Sequence, residues 1–279
     1  MWKQKIGISL GGDISNAESV KMLSKIGFEA ISPIIKKDID LESIISAARD
    51  CEMEIQSLHA PYIQSKAMWS EDEKEYIPAK EELFDALEEC KKYNIPIMVM
   101  HVWISFDYSV NVTNIGLLNY KEIVDKATEY GIKIAFENTE GIEYFHALMD
   151  YFKDNKTVGF CWDSGHEMCY NHSVDLLKIY GDRLLVTHLN DNLGIKRFDG
   201  KVLSNTDDIH LLPYDGIADW DYNIERLKKS RHLDTLNFEL SKTSMWERND
   251  NDIYTKMTKE EYYSEAYKRA CRIAYRYSK

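Results

Sequence analysis

The sequence predicts an α/β fold, a (β/α)8 or TIM barrel, as a single domain over residues 1–279. Three observations lead there. Short apolar runs of β character alternate with segments of helical periodicity, the order expected of a parallel sheet covered by helices. The 279 residues suit one such barrel, which takes about 250. The chemically capable side chains also gather at one end of the runs. His59 closes EIQSLH, His101 closes IPIMVMH, Glu137 closes IKIAFE, His188 closes RLLVTH and Glu239 closes TLNFE, while Asp163 and His166 follow VGFCW in WDSGH. In a parallel barrel all strand C-termini meet at one face, where the active site forms.

Taken in order, residues 5–10 form a first strand and 16–27 a helix, with Asp13 or Ser15 as its cap and Gly27 at its end. A second strand at 30–33 leads to a helix at 41–50. The third strand covers 54–59, and a long helix over 71–93 is expected to break near Pro78. The fourth strand, 97–101, follows an apolar IPIMV run that reads as buried on both faces. A helix at 114–130 ends at Gly131, the fifth strand is 133–137, and a helix covers 142–152. The sixth strand, 158–162, precedes a helix at 173–180, and the seventh is 184–189. Residues 190–220 form a long loop rich in Asp, Asn and Gly, and long ordered loops are commonly functional. A helix at 221–229, an eighth strand at 235–240 and a helix at 259–277 finish the chain. In the last helix Tyr262, Ala266, Ala270 and Ile273 recur at helical spacing.

Hydrophobic residues at 44% and charged ones at 29% fit a soluble globular protein. No apolar stretch approaches the roughly 20 residues of a membrane span, and the first residues carry too short an apolar run for a secretory signal. A cytoplasmic enzyme is expected. The five cysteines show no CxxC pair and read as reduced thiols. The net charge is −12, with 35 Lys and Arg against 47 Asp and Glu. Nucleic-acid binders usually carry a basic stripe. Here the densest basic run lies in the last helix, so nucleic acid is not the expected partner.

Glu137, Asp163 and Glu239, with the imidazole of His188, make an oxygen-rich set for one divalent cation: Mn2+ or Mg2+, with Co2+ and Zn2+ also suited. Desolvating three carboxylates together is costly unless a cation neutralises them. Trp103, Trp162 and Trp220 lie near strand ends, and Trp103 in particular is expected to contact a sugar ring. No GxSxG or Ser-His-Asp arrangement appears.

The segments SLHAP, MVMHVW, AFENTEG, CWDSGHE, THLNDN, DIHLLPYDGIADW and NFELS resemble the xylose-isomerase-like barrel superfamily, which holds sugar and sugar-phosphate isomerases and epimerases together with the endonuclease IV family. The resemblance implies metal ligation by Glu137, Asp163, His188 and Glu239, and a substrate contact from His166. It implies proton transfer beside a sugar carbonyl through an enediolate, with Glu137 and Glu239 as acid and base. The partner is then a small sugar or sugar phosphate, and the chain is free to form a homo-oligomer.

Endonuclease IV uses up to three Zn2+, and His59, His101, His166, Asp208 and His210 fall on the additional ligand positions that such a site requires. A trinuclear zinc phosphodiesterase is therefore the alternative, and a non-catalytic sugar-binding barrel a third reading. The long loop resembles the PGxGxIDW pattern of the isomerase-like proteins, with Tyr214 in place of its first glycine. It offers Lys196, Arg197 and Lys201, few cations for gripping a duplex.

Overall fold

The computed structural model describes residues 2–106, 111–195, 204–245 and 248–279. The strands are β1 (Lys5–Leu10), β2 (Ala30–Pro33), β3 (Glu54–Ile55), β4 (Leu58–His59), β5 (Ile97–His101), β6 (Lys133–Glu137), β7 (Val158–Asp163), β8 (Leu184–His188) and β9 (Thr235–Phe238). The helices are α1 (Ala17–Ile26), α2 (Leu41–Asp50), α3 (Glu73–Tyr93), α4 (Asn114–Tyr130), α5 (Ile142–Tyr151), α6 (Ser164–Cys169), α7 (Leu176–Tyr180), α8 (Trp220–Lys229) and α9 (Lys259–Tyr277).

Every strand pairing is parallel, in the orders β3-β2-β1-β9 and β4-β5-β6-β7-β8. Parallel bridges between Ile34 and His59, and between Leu189 and Phe238, join the two sheets into a TIM barrel. The third predicted strand is thus two pieces. Residues 54–55 pair with β2 and 58–59 with β5. At the handover Ser57 turns inward, and its hydroxyl meets that of Ser32 at 2.8 Å.

Strand alternation decides what faces the barrel axis. Val99, Ala135, Cys161 and Val186 form a small apolar cluster inside the barrel. Two residues further along their strands come His101, Glu137, Asp163 and His188. The intervening Met98, Met100, Ile134, Phe136, Phe160 and Trp162 pack outward in the main core with the helices. A polar stack at the C-terminal end of the barrel therefore rests on an apolar floor.

Three helix expectations need correction. The cap of α1 is Asn16, whose side chain accepts the Ser19 N–H at 2.9 Å, rather than Asp13 or Ser15. Helix α3 runs unbroken through Pro78. This proline is exposed and near the N-terminus, so its missing N–H removes a single intrahelical bond. The helix expected from residue 173 begins at Leu176, because His172 and Ser173 adopt left-handed backbone, φ 51° and 55°. A turn earlier the chain forms a further short helix, α6. Its cap is Asp163, whose carboxylate accepts the His166 N–H at 2.7 Å.

Candidate metal and sugar site

Glu137, fully buried at the end of β6, is the centre of the site. Its Oε2 lies 3.3 Å from Nε2 of both His59 and His101. Its Oε1 lies 3.1 Å from His188 Nδ1 and 3.3 Å from His166 Nδ1. His188 Nδ1 is also 2.8 Å from Glu239 Oε2. On the far side of His166, its Nε2 approaches Asp208 Oδ2 at 3.5 Å, and His210 Nε2 meets Asp208 Oδ1 at 2.9 Å. All nine ligand-type residues expected from the sequence are thus brought together. Their ligand-type atoms fall into groups, each within 4.8 Å: Glu137, Asp163, His188 and Glu239; His59, His101 and the same Glu137; and, separately, His166, Asp208 and His210.

The charges show what this cluster demands. Burial opposes ionisation of Glu137, yet His188 and His101 outweigh it and hold the carboxyl well below its usual range. Burial likewise opposes the charge on Glu239, but His188 and His210 pull it down to about 2. Burial disfavours the imidazolium of His210, and Asp208 raises it to about 10. His166 and His188 are also raised well above the ordinary histidine value against burial, His166 chiefly by Asp163 and Asp208, and His188 chiefly by Cys161 and Glu137. For Asp163 burial prevails, and its pKa is raised. The carboxylates therefore require positive charge, which either protonated histidines or a divalent cation can supply. Glu137 Oε2, His166 Nδ1 and Asp208 Oδ1 are buried beside opposite charges but outside hydrogen-bonding geometry. Oxygen and imidazole atoms crowded together without directional bonds suit a metal centre.

A second layer fixes these side chains. Asn138 accepts the Asp163 N–H at 2.8 Å and donates to its carbonyl at 2.9 Å. Asn190 donates to both Asp163 carboxylate oxygens at 3.2 and 3.0 Å. His59 Nδ1 is 2.8 Å from the Ala60 carbonyl, which leaves Nε2 toward Glu137. His210, in left-handed backbone at φ 46°, has Nδ1 3.2 Å from the Glu239 carbonyl.

The aromatic lining differs from expectation. Trp103 is fully buried, stacks on Tyr144 at 4.0 Å between ring centroids and donates its indole N–H to the Ser105 carbonyl. It belongs to the packing behind the site and leaves no open face for a sugar. Trp162 donates to Glu167 and Trp220 to Asp191, so both are also structural. The rings that reach the site are Tyr62, stacked on His101 at 4.7 Å, and Tyr170, 5.1 Å from His166 with Phe106 behind it.

Asp191 organises the long loop. Its carboxylate accepts N–H bonds from Asn192, Tyr214, Ala218 and the Trp220 indole, all between 2.8 and 3.0 Å. Gly216 is required there, since a Cβ would lie 2.1 Å from Asp191 Oδ1. Tyr214 adopts φ 76°, the conformation that explains a glycine at this place in the related pattern. Lys196, Arg197 and Lys201 lie outside the described residues.

The sequence pattern of xylose isomerase-like TIM barrels matches residues 20–266. The chain belongs to that family. Among solved structures of the same fold, the IolI protein, crystallised with a bound zinc atom, superposes with a TM-score of 0.77 at 21% identity, covering 98% of this chain and 99% of that one. D-psicose 3-epimerase with D-tagatose, from Clostridium cellulolyticum H10, gives 0.72 at 14% identity, covering 97% and 99%. A D-tagatose 3-epimerase-like protein gives 0.69 at 22%, covering 96% and 99%. An uncharacterised protein of Sinorhizobium fredii, y4fM, is 31% identical over 172 residues, 55% of this chain and 52% of that protein. The chain thus spans about half the length of this curated relative.

Tyr62 and Tyr170 line the site, and Asn138, Asn190 and Asp191 support it, without being among the residues predicted from the sequence. Their signal is proximity: Asn138 follows Glu137 in ENTE, and Asn190 and Asp191 come just after His188 in HLND.

Proposed function

We propose that the chain is a divalent-metal-dependent carbohydrate isomerase or epimerase. The observation that carries this reading is the placement of two ionised glutamates on one histidine nitrogen. Glu137 ends β6 and Glu239 follows β9, with β7 and β8 between them around the barrel, and both reach His188 Nδ1. A substrate seated over this nitrogen meets carboxylates arriving from separate strands.

A cation held by Glu137, Asp163, His188 and Glu239 would supply electrostatic stabilisation of the charge that develops on the substrate carbonyl oxygen. The zinc in IolI and the set of donors here support such a cation, with Mn2+, Mg2+, Co2+ and Zn2+ all compatible. One glutamate removes a proton from the carbon beside the carbonyl, giving an enediolate. The other, once it has taken a proton from solvent, delivers that proton to the opposite face of the carbon, which epimerises it, while the first returns its proton to solvent. Delivery to the neighbouring carbon interconverts aldose and ketose. His166, held between Glu137 and Asp208, orients a substrate hydroxyl. Tyr62 and Tyr170 offer flat apolar surface to the sugar skeleton.

One observation favours a second reading. The further groups, His59 with His101 and His166 with Asp208 and His210, could hold additional zinc ions beside Glu137. A trinuclear phosphodiesterase would use them. The test incubates metal-loaded protein with ketoses, aldoses and their phosphates in heavy water. Deuterium at the carbon beside the carbonyl is expected. Nicking of a duplex containing one abasic site, at low salt and with no sugar exchange, would replace this reading by the phosphodiesterase.

A further inference from the structure

Beside the carboxylate cluster, on the barrel floor, lies a thiol that the proposed chemistry leaves unused. Cys161, on β7, is fully buried and forms no disulfide. Strand register brings it to the site. Its partner on β6 is Glu137 itself. Its partner on β8 is Val186, two residues before His188, because a register shift between Phe160 and Cys161 displaces the pairing of β7 with β8. Bulges of this kind re-aim the side chains next to them. The Sγ of Cys161 forms a group with a carboxylate oxygen of Glu137 and a ring nitrogen of His188, all within 4.8 Å of one another. Among the described residues the other fully buried thiols, Cys90 and Cys169, join no such group.

Both neighbours of the thiol have a polar atom left over. His188 directs Nδ1 to Glu137 and Glu239, and its Nε2 is buried without a hydrogen-bond partner. Oε2 of Glu137 is likewise buried and unpartnered. The two residues are 1% and 0% exposed, so solvent does not satisfy them.

This donor set differs in kind from the oxygen-rich one. Glu137, Asp163, His188 and Glu239 offer oxygens and one nitrogen. Glu137, Cys161 and His188 offer one oxygen, one sulfur and one nitrogen. A thiolate is a soft ligand and selects Zn2+ and its relatives over Mn2+ and Mg2+. Charge acts in the same direction. A thiolate, a carboxylate and a neutral imidazole balance one divalent cation. A neutral assembly can rest against Val99, Ala135 and Val186 without burying net charge in that apolar cluster. Three carboxylates around the same cation leave one negative charge over.

We infer that Cys161, His188 and Glu137 form a distinct position for a thiophilic divalent cation, of the class of Zn2+ and Cd2+, on the floor of the barrel. The thiol proton leaves for solvent as the metal–sulfur bond forms. Glu137 and His188 serve both positions, so an ion held by Cys161 draws them from the oxygen-rich set. Mn2+ and Mg2+ gain nothing from the sulfur and stay with the carboxylates. Cys161 thereby sets which class of metal the chain holds where, whatever reaction the site performs.

The test uses the full chain, stripped of metal, as wild type, Cys161→Ser and Cys161→Ala, with melting temperatures recorded. Co2+ is the coloured probe, and Cd2+, Zn2+ and Mn2+ are titrated separately. Wild type carrying one Co2+ is expected to show a near-ultraviolet sulfur-to-cobalt charge-transfer band that both variants lack. Losing a ligand should cost at least what losing a ligand's supporting partner does, so Cd2+ and Zn2+ affinity should fall at least about tenfold in the variants. Mn2+ affinity should be unchanged. X-ray absorption of wild type carrying one Zn2+, which needs no variant, should show one sulfur at about 2.3 Å from the metal. A shell of oxygen and nitrogen alone overturns the inference. So does a charge-transfer band that survives in either folded variant, which would assign the sulfur to another cysteine. Equal losses of Cd2+ and Mn2+ would make Cys161 a packing residue and overturn it too, as would a wild type that binds none of the thiophilic ions.

Discussion

Asp191 and Glu137 are both fully buried carboxylates near the C-terminal end of the barrel, and their surroundings are opposite. Asp191 is saturated by neutral N–H donors, three from the backbone and one from Trp220. Those donors belong to the loop, so the carboxylate acts as a template that ties Asn192 to Tyr214, Ala218 and Trp220. Among the described residues no backbone N–H donates to the Glu137 carboxylate. It faces four imidazoles from four other segments of the chain. Full satisfaction by fixed amides marks a structural carboxylate. Partial satisfaction by titratable, metal-ligating groups marks a site. Burial alone would have ranked the two alike.

That contrast can be broken by substitution. The largest effect is expected from Glu239→Gln, which keeps shape and removes a base. Deuterium exchange should fall by about 10²–10⁴-fold, the usual worth of a positioned acid–base group, and the melting temperature should drop modestly with the lost ion pair to His188. Asp191→Asn should behave in the reverse way. Its amide would turn a donor against N–H groups that need an acceptor, at a cost of about 3 kcal/mol. Urea denaturation should show this loss, and the fraction still folded should keep its metal. Asn190→Ala comes next. It strips the side-chain donor from both oxygens of Asp163, and a metal titration should show affinity reduced about 10–100-fold, as for other supporting partners of ligands.

The smallest effect is a pH dependence. In metal-stripped protein the folded pKa of His210 is raised from 6.5 to about 10. Its stabilisation is full below about 6.5 and is lost as pH rises toward 10. Glu239, lowered from 4.5 to about 2, contributes above 4.5 and loses its contribution as pH falls toward 2. Melting temperatures of metal-stripped protein should therefore decline above neutrality. Metal-loaded protein should decline less, because a bound cation replaces protons on the histidines. Equal slopes for the two would place the histidine charges outside the metal's influence.

Much of the fold, and which side chains the barrel gathers at its C-terminal end, was legible because both follow from short-range rules. Period-two alternation carries Val99 to His101 and Ala135 to Glu137 on one face, so a ligand at a strand end points where its strand dictates. The rule fails as soon as the strand stops. Trp103 lies two residues beyond His101 and would have faced inward had β5 continued, but β5 ends at His101 and the ring turns into the packing around Tyr144. The same limit hid the different fates of Asn190, Asp191 and Asn192. Consecutive polar residues after β8 hold Asp163, the loop amides and the Asp207 carbonyl respectively. Such partners lie far along the sequence, and only the folded loop brings them together. The break of the third strand at Gln56 and Ser57 depends likewise on which neighbour each half pairs with.

The central claim is that the unmet charge around Glu137 is a divalent metal site. Its most direct test is an equilibrium titration of metal-stripped wild type and Glu137→Gln with Mn2+ and Zn2+, read by elemental analysis after dialysis. At least one tightly held ion per wild-type chain and its loss from a folded Glu137→Gln are predicted. Equal metal content in the two proteins, or none in the wild type, would contradict the account.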